Sequence, residues 1–181
     1  MAQERLITQI DYARAGKITP QMEAVAAKEH KTPEEIRAGV AKGCIAIPAN
    51  IHHAALSPEG VGEGMRTKVN VNLGISGDLM NAEMELEKVC TAIELGAEGI
   101  MDLSNHGKTH DFRKHLIDMS PAMIGTVPMY DAIGYLEKPL IGITAQDFLD
   151  VVRAHAEDGV DFVTIHAGMN RRTIENFKET G

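Results

Sequence analysis

Four times along this chain a short apolar or β-branched run ends in polar or small residues and gives way to a stretch with helical spacing. That alternation limits the fold more than any other feature. The runs are KVNVNLG (68–74), GIMDLS (99–104), AMIGTVPMYD (122–131) and DFVTIHAG (161–168). Near-continuous apolar character marks strands buried on both faces, the condition of a parallel sheet whose faces are covered. The repeating unit is therefore βα rather than a hairpin. The step of roughly thirty residues from the first strand to the second is the step of a (β/α)₈ barrel, so the expected class is α/β, of (β/α)₈ TIM-barrel type.

A whole barrel of that kind takes about 250 residues, whereas this chain has 181 and four such strands. It is expected to be the first half of a barrel, with NRRTIENFKETG (170–181) starting the helix after the fourth strand. Two open strand edges and a bare inner face would then need cover. The division expected is an N-terminal helical region over 1–65 and the half-barrel over 66–181.

Within 1–65, LITQIDYARAG (6–16) has the spacing of a short helix stopped by Gly16, and Thr19–Pro20 caps a second. TPEE (32–35) is a capping box, and Gly43 ends the helix it starts. CIAIP (44–48) reads as a small strand or extended segment before a glycine-rich connection over 49–66. Further on, residues 81–96 and 112–119 read as crossover helices, and the first of them carries its glutamates on a solvated face. Thr144 with Asp147 opens a third, which Gly159 stops.

Composition narrows the class. A formal charge of −8 and a pI near 5.4 argue against nonspecific nucleic-acid binding, which needs a basic surface. No apolar run has the length of a membrane span and the N-terminus lacks the apolar core of a signal peptide, so a cytoplasmic protein is expected. Cys44 and Cys90 are far apart, fit neither a disulfide framework nor a CxxC clip, and read as reduced thiols. His52–His53 has no further ligand at metal spacing. GISGD (74–78) is too short to be a phosphate loop by itself and reads as a βα turn.

In parallel α/β folds chemistry sits at the C-terminal ends of the strands. Asn72 closes the first run here, residues 101–104 the second, Tyr130 and Asp131 the third, and His166 the fourth.

The strings PANIHH, RTKVNVNLGIS, GIMDLS, SPAMIGTVPMYDAIG and DGVDFVTIHAG resemble the N-terminal half of the radical S-adenosylmethionine family that contains phosphomethylpyrimidine synthase of thiamine biosynthesis. The resemblance covers nearly the whole chain. It implies a (β/α)₈ barrel that binds 5-aminoimidazole ribonucleotide, and it carries the family's substrate-binding positions onto Asn72, Met101, Tyr130 and His166. The expected roles are hydrogen bonds from Asn72, Tyr130 and His166 to the imidazole, ribose or phosphate, with Met101 packing beside the ligand.

It also implies a 4Fe-4S cluster, S-adenosylmethionine and a second, zinc-like divalent metal in the full-length protein, and a homodimer. Their ligands are not expected in this stretch, so no metal or catalytic residue is assigned here. Where the thiamine enzymes read DLSTGG, this chain has DLSNHGKTHDFR (102–113), and it has SPAMIGTVPMYDAIGYLEK around its third strand. Those departures resemble more the paralogue 5-hydroxybenzimidazole synthase of cobamide lower-ligand biosynthesis, which takes the same substrate. Asn105, His106, Lys108 and Asp131 are the residues expected to steer the product. For the isolated 181 residues the alternative is a non-catalytic half-barrel that binds a ligand or a partner.

Overall fold

The computed structural model describes residues 7–77, 81–107, 109–136, 140–168 and 170–180. Its first part is helical: α1 (Gln9–Arg14), α2 (Pro20–Lys28) and α3 (Pro33–Lys42). Each starts where a threonine hydroxyl accepts from a backbone N–H of the first turn, namely Thr8, Thr19 and Thr32. Asp11 and Glu35 complete two of these as capping boxes, and Pro20 and Pro33 fill first helical positions that need no N–H. Gly43 ends α3 in the left-handed region at φ 76°. The three helices bury Ala13, Met22, Val25, Ile36 and Val40 against Ile45 and Ile47.

Ile45 and Ile47 lie on and beside β1 (Ile45–Ala46), which pairs antiparallel with β2 (Val61–Gly62). The CIAIP segment is thus a strand, while its partner lies inside the glycine-rich connection, where no strand was expected. Gly62 is required there: a Cβ on it would sit 2.1 Å from the Cys44 carbonyl oxygen.

The second part is a four-stranded parallel sheet in the order β3 (Asn70–Leu73), β4 (Gly99–Asp102), β5 (Met123–Thr126), β6 (Phe162–Val163). Between the strands run α4 (Ala82–Glu94), α5 (His110–Met119), α6 (Pro128–Leu136) and α7 (Ala145–Asp158), and α8 (Arg171–Thr180) follows the last. The βα alternation read from the sequence is what forms. The register aligns Leu73 with Asp102, Asn72 with Met101, Ile100 with Ile124 and Met101 with Gly125. Leu73, Ile100 and Ile124 pack with Val89 of α4 and Phe112, Leu116 and Ile117 of α5 into one core. The alternate residues Asn72, Met101 and Gly125 face the other way.

Two strand readings were too long. The third run, read to residue 131, leaves the ladder at Thr126, because Pro128 starts a helix. Proline has no N–H for a ladder but suits a first helical turn. Tyr130 and Asp131 therefore ride on α6, not on a strand end. Of the fourth run only Phe162 and Val163 pair as strand, and His166 lies three residues beyond. The solvated glutamate face of α4 also needs correcting: Glu83, Glu87 and Glu94 are exposed, but Glu85 is buried and accepts from the Gly74 N–H at 2.9 Å.

Two polar joints bind the helical region to the sheet. In the first, Glu29 at the C-terminal cap of α2 pairs with Lys68, Arg66 pairs with Glu98, and Lys28 pairs with Glu59 at 2.6 Å. Glu98 in turn accepts from the Val69 N–H at 2.7 Å, at the mouth of β3. In the second joint the Asp161 carboxylate accepts from His53 Nδ1 at 2.7 Å, from the Asn50 N–H at 2.8 Å and from the Ile124 N–H at 2.8 Å. His53 Nε2 meets the Ser120 carbonyl at 2.8 Å, so both ring nitrogens face acceptors and the buried ring is held as the cation. Burial alone would lower its pKa. The hydrogen bond and charge of Asp161, with the Ser120 carbonyl, outweigh burial and hold it above the ordinary histidine value.

The sign of that shift fixes a pH dependence. A raised folded pKa stabilises in full below the unfolded value, about 6.5, and the contribution fades as pH climbs through the folded value. The melting temperature is expected to fall as pH rises from the unfolded value through the folded one, and His53→Gln to flatten the fall; parallel pH profiles for the two proteins would contradict the clasp. Expressed alone, the chain is expected to self-associate, since β3 and β6 each keep an edge with no strand beside it among the described residues. A monodisperse monomer with a sharp cooperative melt in sedimentation and calorimetry would count against that.

Candidate functional site

The rim at the C-terminal ends of the strands collects the side chains picked out from the sequence, and it does so in two pairs. Asn72 and Met101 are register partners on neighbouring strands and share the face turned away from the helices. The Asn72 side chain is exposed, and its Oδ1 accepts from Asn70 Nδ2 at 3.0 Å, so its amide nitrogen stays available. Met101 is buried, lying over Gly125: a Cβ at Gly125 would sit 2.4 Å from the methionine sulfur and 2.3 Å from the Phe162 ring. The absent side chain is what lets Met101 and Phe162 close across β5.

Tyr130 and His166 form the second pair. Their ring centroids are 5.5 Å apart with planes tilted by 38°, an arrangement within the range of attractive aromatic contacts. Tyr130 is 38% exposed and His166 is exposed, so the pair presents ring faces and polar tips to solvent. A helix start and a loop, rather than two strand ends, bring these rings together.

The loops after β3 and β4 are stitched to each other. Gly74 takes φ 147°, and a Cβ on it would lie 2.6 Å from the Ser104 nitrogen. The Ile75 N–H donates to Ser104 Oγ at 3.0 Å, and the Asn105 N–H donates to the Ile75 carbonyl at 3.0 Å. Ser104 donates its own N–H to Asp102 Oδ1 at 3.0 Å. Burial is the leading influence on Asp102 and pushes its pKa up; the Ser104 hydrogen bonds and Arg113 act the other way, and the carboxyl stays above its ordinary value. Of GISGD, Gly74 and Ile75 are irregular, Ser76 makes an isolated bridge and Gly77 lies in a turn, with Asp78 outside the described residues. Asn105 and His106 are exposed on the second loop, and Lys108 lies outside the described residues.

Asp131 is not a rim residue. It is 4% exposed behind the sheet, where its carboxylate accepts from Thr109 Oγ1 at 2.8 Å, His155 Nε2 at 2.9 Å and Arg113 Nη1 at 3.2 Å. Burial favours its neutral form, but the His155 and Thr109 hydrogen bonds and the Arg113 charge together hold it ionised, below the usual carboxylate range. Arg113 itself is buried and gives Nε and Nη2 to Asp158 Oδ2 at 2.9 and 2.7 Å. The helices α5 and α7 were legible and α6 was not, and nothing in the pattern marks these charges as buried partners.

A cavity of about 650 Å³ opens on the face turned away from the helices, nearer the start of the strands, lined by Met101, Met123, Phe162, Lys68, Val61 and Pro48 among others. Of the four rim residues only Met101 reaches it. Among the described residues no three His, Cys, Asp or Glu side chains gather to hold a metal. Both nitrogens of His53 are engaged, and Cys44 and Cys90 are exposed free thiols, one before β1 and one on α4.

The profile of the Radical SAM ThiC family matches residues 8–181. The chain is 63% identical over 94% of its length to the phosphomethylpyrimidine synthase of Alkaliphilus metalliredigens, covering 39% of that protein. The phosphomethylpyrimidine synthase of Clostridium tetani is 61% identical over 94% of the chain and 37% of its own length. That of Alkaliphilus oremlandii is 59% identical over 95% of the chain and 39% of its own length. The chain thus spans about two fifths of the length of these curated relatives. No helix among the described residues is long and apolar enough to cross a membrane.

The packing at Gly125 makes a direct test of the rim. Gly125→Ala drives a methyl into Met101 and Phe162 and is expected to destabilise the chain by about 1–3 kcal/mol, the usual cost of overpacking. Equal urea midpoints for the two proteins would mean that Met101 does not lie over β5 as described.

Proposed function

The chain belongs to the Radical SAM ThiC family, and from that membership we propose that the protein it forms part of makes hydroxymethylpyrimidine phosphate from 5-aminoimidazole ribonucleotide. The observation that carries the reading is the 63% identity to a relative named phosphomethylpyrimidine synthase. In this reading residues 66–181 supply the first four βα units of a (β/α)₈ barrel, and residues 1–65 buttress it as a separate helical region.

Asn72, Met101, Tyr130 and His166 then hold the ribonucleotide. The Asn72 amide nitrogen offers two N–H donors that its contact with Asn70, made through the oxygen, leaves free, suited to a ring nitrogen or a ribose hydroxyl. Tyr130 and His166 present a tilted aromatic pair against which a planar imidazole can pack, and each adds a polar atom at its edge. Met101 provides an apolar, polarisable wall. The cluster and S-adenosylmethionine that the family name implies supply the radical chemistry, and their ligands lie outside this chain's two exposed cysteines. This stretch binds and orients.

The names of the relatives favour the pyrimidine over 5-hydroxybenzimidazole, the product preferred from the loops alone. The burial of Asp131 points the same way, because it removes one of the four residues expected to steer the product. The exposed pair Asn105 and His106 is what still favours the second reading.

Two measurements test the proposal. In the full-length protein, Asn72→Ala and His166→Ala are each expected to weaken ribonucleotide binding by about 1–3 kcal/mol in calorimetry, the cost of a lost buried hydrogen bond. Unchanged affinity in both would take these residues out of the site. Given the ribonucleotide, S-adenosylmethionine and a reductant without oxygen, the protein is expected to release hydroxymethylpyrimidine phosphate, identified by mass spectrometry. Release of 5-hydroxybenzimidazole as the main product would overturn the assignment.

A further inference from the structure

Tyr130 and Asp131 are consecutive residues on the first turn of α6, yet one stands on the rim and the other is sealed behind the sheet. Neighbours on a helix diverge by about 100°, so whatever fixes the direction of Asp131 fixes that of Tyr130. Only Val127 separates β5 from α6, and the Tyr130 N–H already bonds back to the Val127 carbonyl at 2.9 Å. The angle at which α6 leaves the sheet therefore decides where the tyrosine ring lies.

That angle is set by groups from three other elements. Thr109 and Arg113 reach Asp131 from the start of α5, and His155 reaches it from α7. His155 also faces Thr126, the last residue of β5, through Nδ1 at 2.9 Å from Thr126 Oγ1. A hydroxyl that donates to Nδ1 leaves Nε2–H for the carboxylate, so the chain of bonds has one consistent direction from the strand to the helix. Thr126, His155 and Asp131 are all buried, and none reaches the cavity on the face turned away from the helices. The set resembles a nucleophilic triad in its order of groups but has no opening through which a substrate could meet the hydroxyl.

We infer that Asp131 is a positioning residue: anchored by Arg113, His155 and Thr109, it holds the Tyr130 ring against His166 and so shapes the surface that meets the ligand. Its effect on ligand binding rests on the substrate reading above. Its effect on the ring pair does not.

The test uses the full-length protein with isotope-labelled histidine, the His166 ring signals being assigned with His166→Gln. Tyr130→Ala is expected to move those signals by removing the ring current of the neighbouring tyrosine. Asp131→Asn is expected to move them more than halfway to the same position with helix content unchanged by circular dichroism. Thr126→Val, a milder variant that removes only the hydroxyl facing His155, is expected to act in the same direction and carries the test should Asp131→Asn fail to fold. Wild-type His166 signals in a folded Asp131→Asn or Thr126→Val protein would overturn the inference. Asp131→Asn is also expected to weaken ribonucleotide binding by about tenfold, and to add nothing in a Tyr130→Ala background. An undiminished loss in that background would equally overturn it. Should Tyr130→Ala leave affinity unchanged, the substrate reading fails, and the ring signals alone decide the positioning role.

Discussion

A parallel strand that lays one face on helices must send every second side chain the other way, and in this sheet that alternation separates the helix-packed core from an open face. Leu73, Ile100 and Ile124 go to the core with Val89, Phe112 and Leu116. Asn72, Met101 and Gly125, one position off in each strand, form the opposite face. A slip of one residue in β4 would put Met101 into the helical core and Ile100 on the open side, so the apolar core also enforces the rim.

Charge is handled differently at the two ends of the strands. At their start the ion pairs of Glu29, Glu59, Glu98, Arg66 and Lys68 join the helical region to the sheet, partly in contact with water. At their finish Arg113, Asp131 and Asp158 are buried, and each charge meets an opposite charge and neutral hydrogen-bonding groups. Burying charges costs more than their attraction returns unless the geometry is close to ideal, so such a cluster tolerates few alternative arrangements. It trades some stability for a fixed relation among α5, α6 and α7.

Local chemistry was the legible part of the sequence. Thr19, Thr32 and Thr144 cap helices as hydroxyls do wherever a free N–H lies nearby, and Gly43 and Gly159 end helices because a left-handed turn costs them little, whereas the cap at Thr8 lay inside a run read as helical from residue 6. The βα alternation was legible for the same reason, being a matter of periodicity. The run through Val127 and Pro128 misled because a β-branched residue followed by proline reads both as a strand end and as a helix start. β2 is two residues long in a glycine-rich stretch and has no periodicity to read. The buried carboxylates were out of reach altogether. Arg113 meets Asp158 across 45 residues of sequence, and no local pattern announces a pairing of that range.

The Asp161 clasp has a consequence for the order in which the molecule comes together. It joins Asn50 and His53 to a residue 111 and 108 positions further along the chain. Closing a loop of that length carries an entropy cost that short-range contacts do not, and contacts so separated in sequence form slowly. Capped helices α1 to α3, the first strand pairs and the ion pairs of the first joint can therefore assemble while the chain is still emerging, but the second joint can close only after Asp161 has been delivered. A contact made that late resists unfolding more than it hastens folding, so the lifetime of the native state, rather than the speed of reaching it, is what His53 and Asp161 govern.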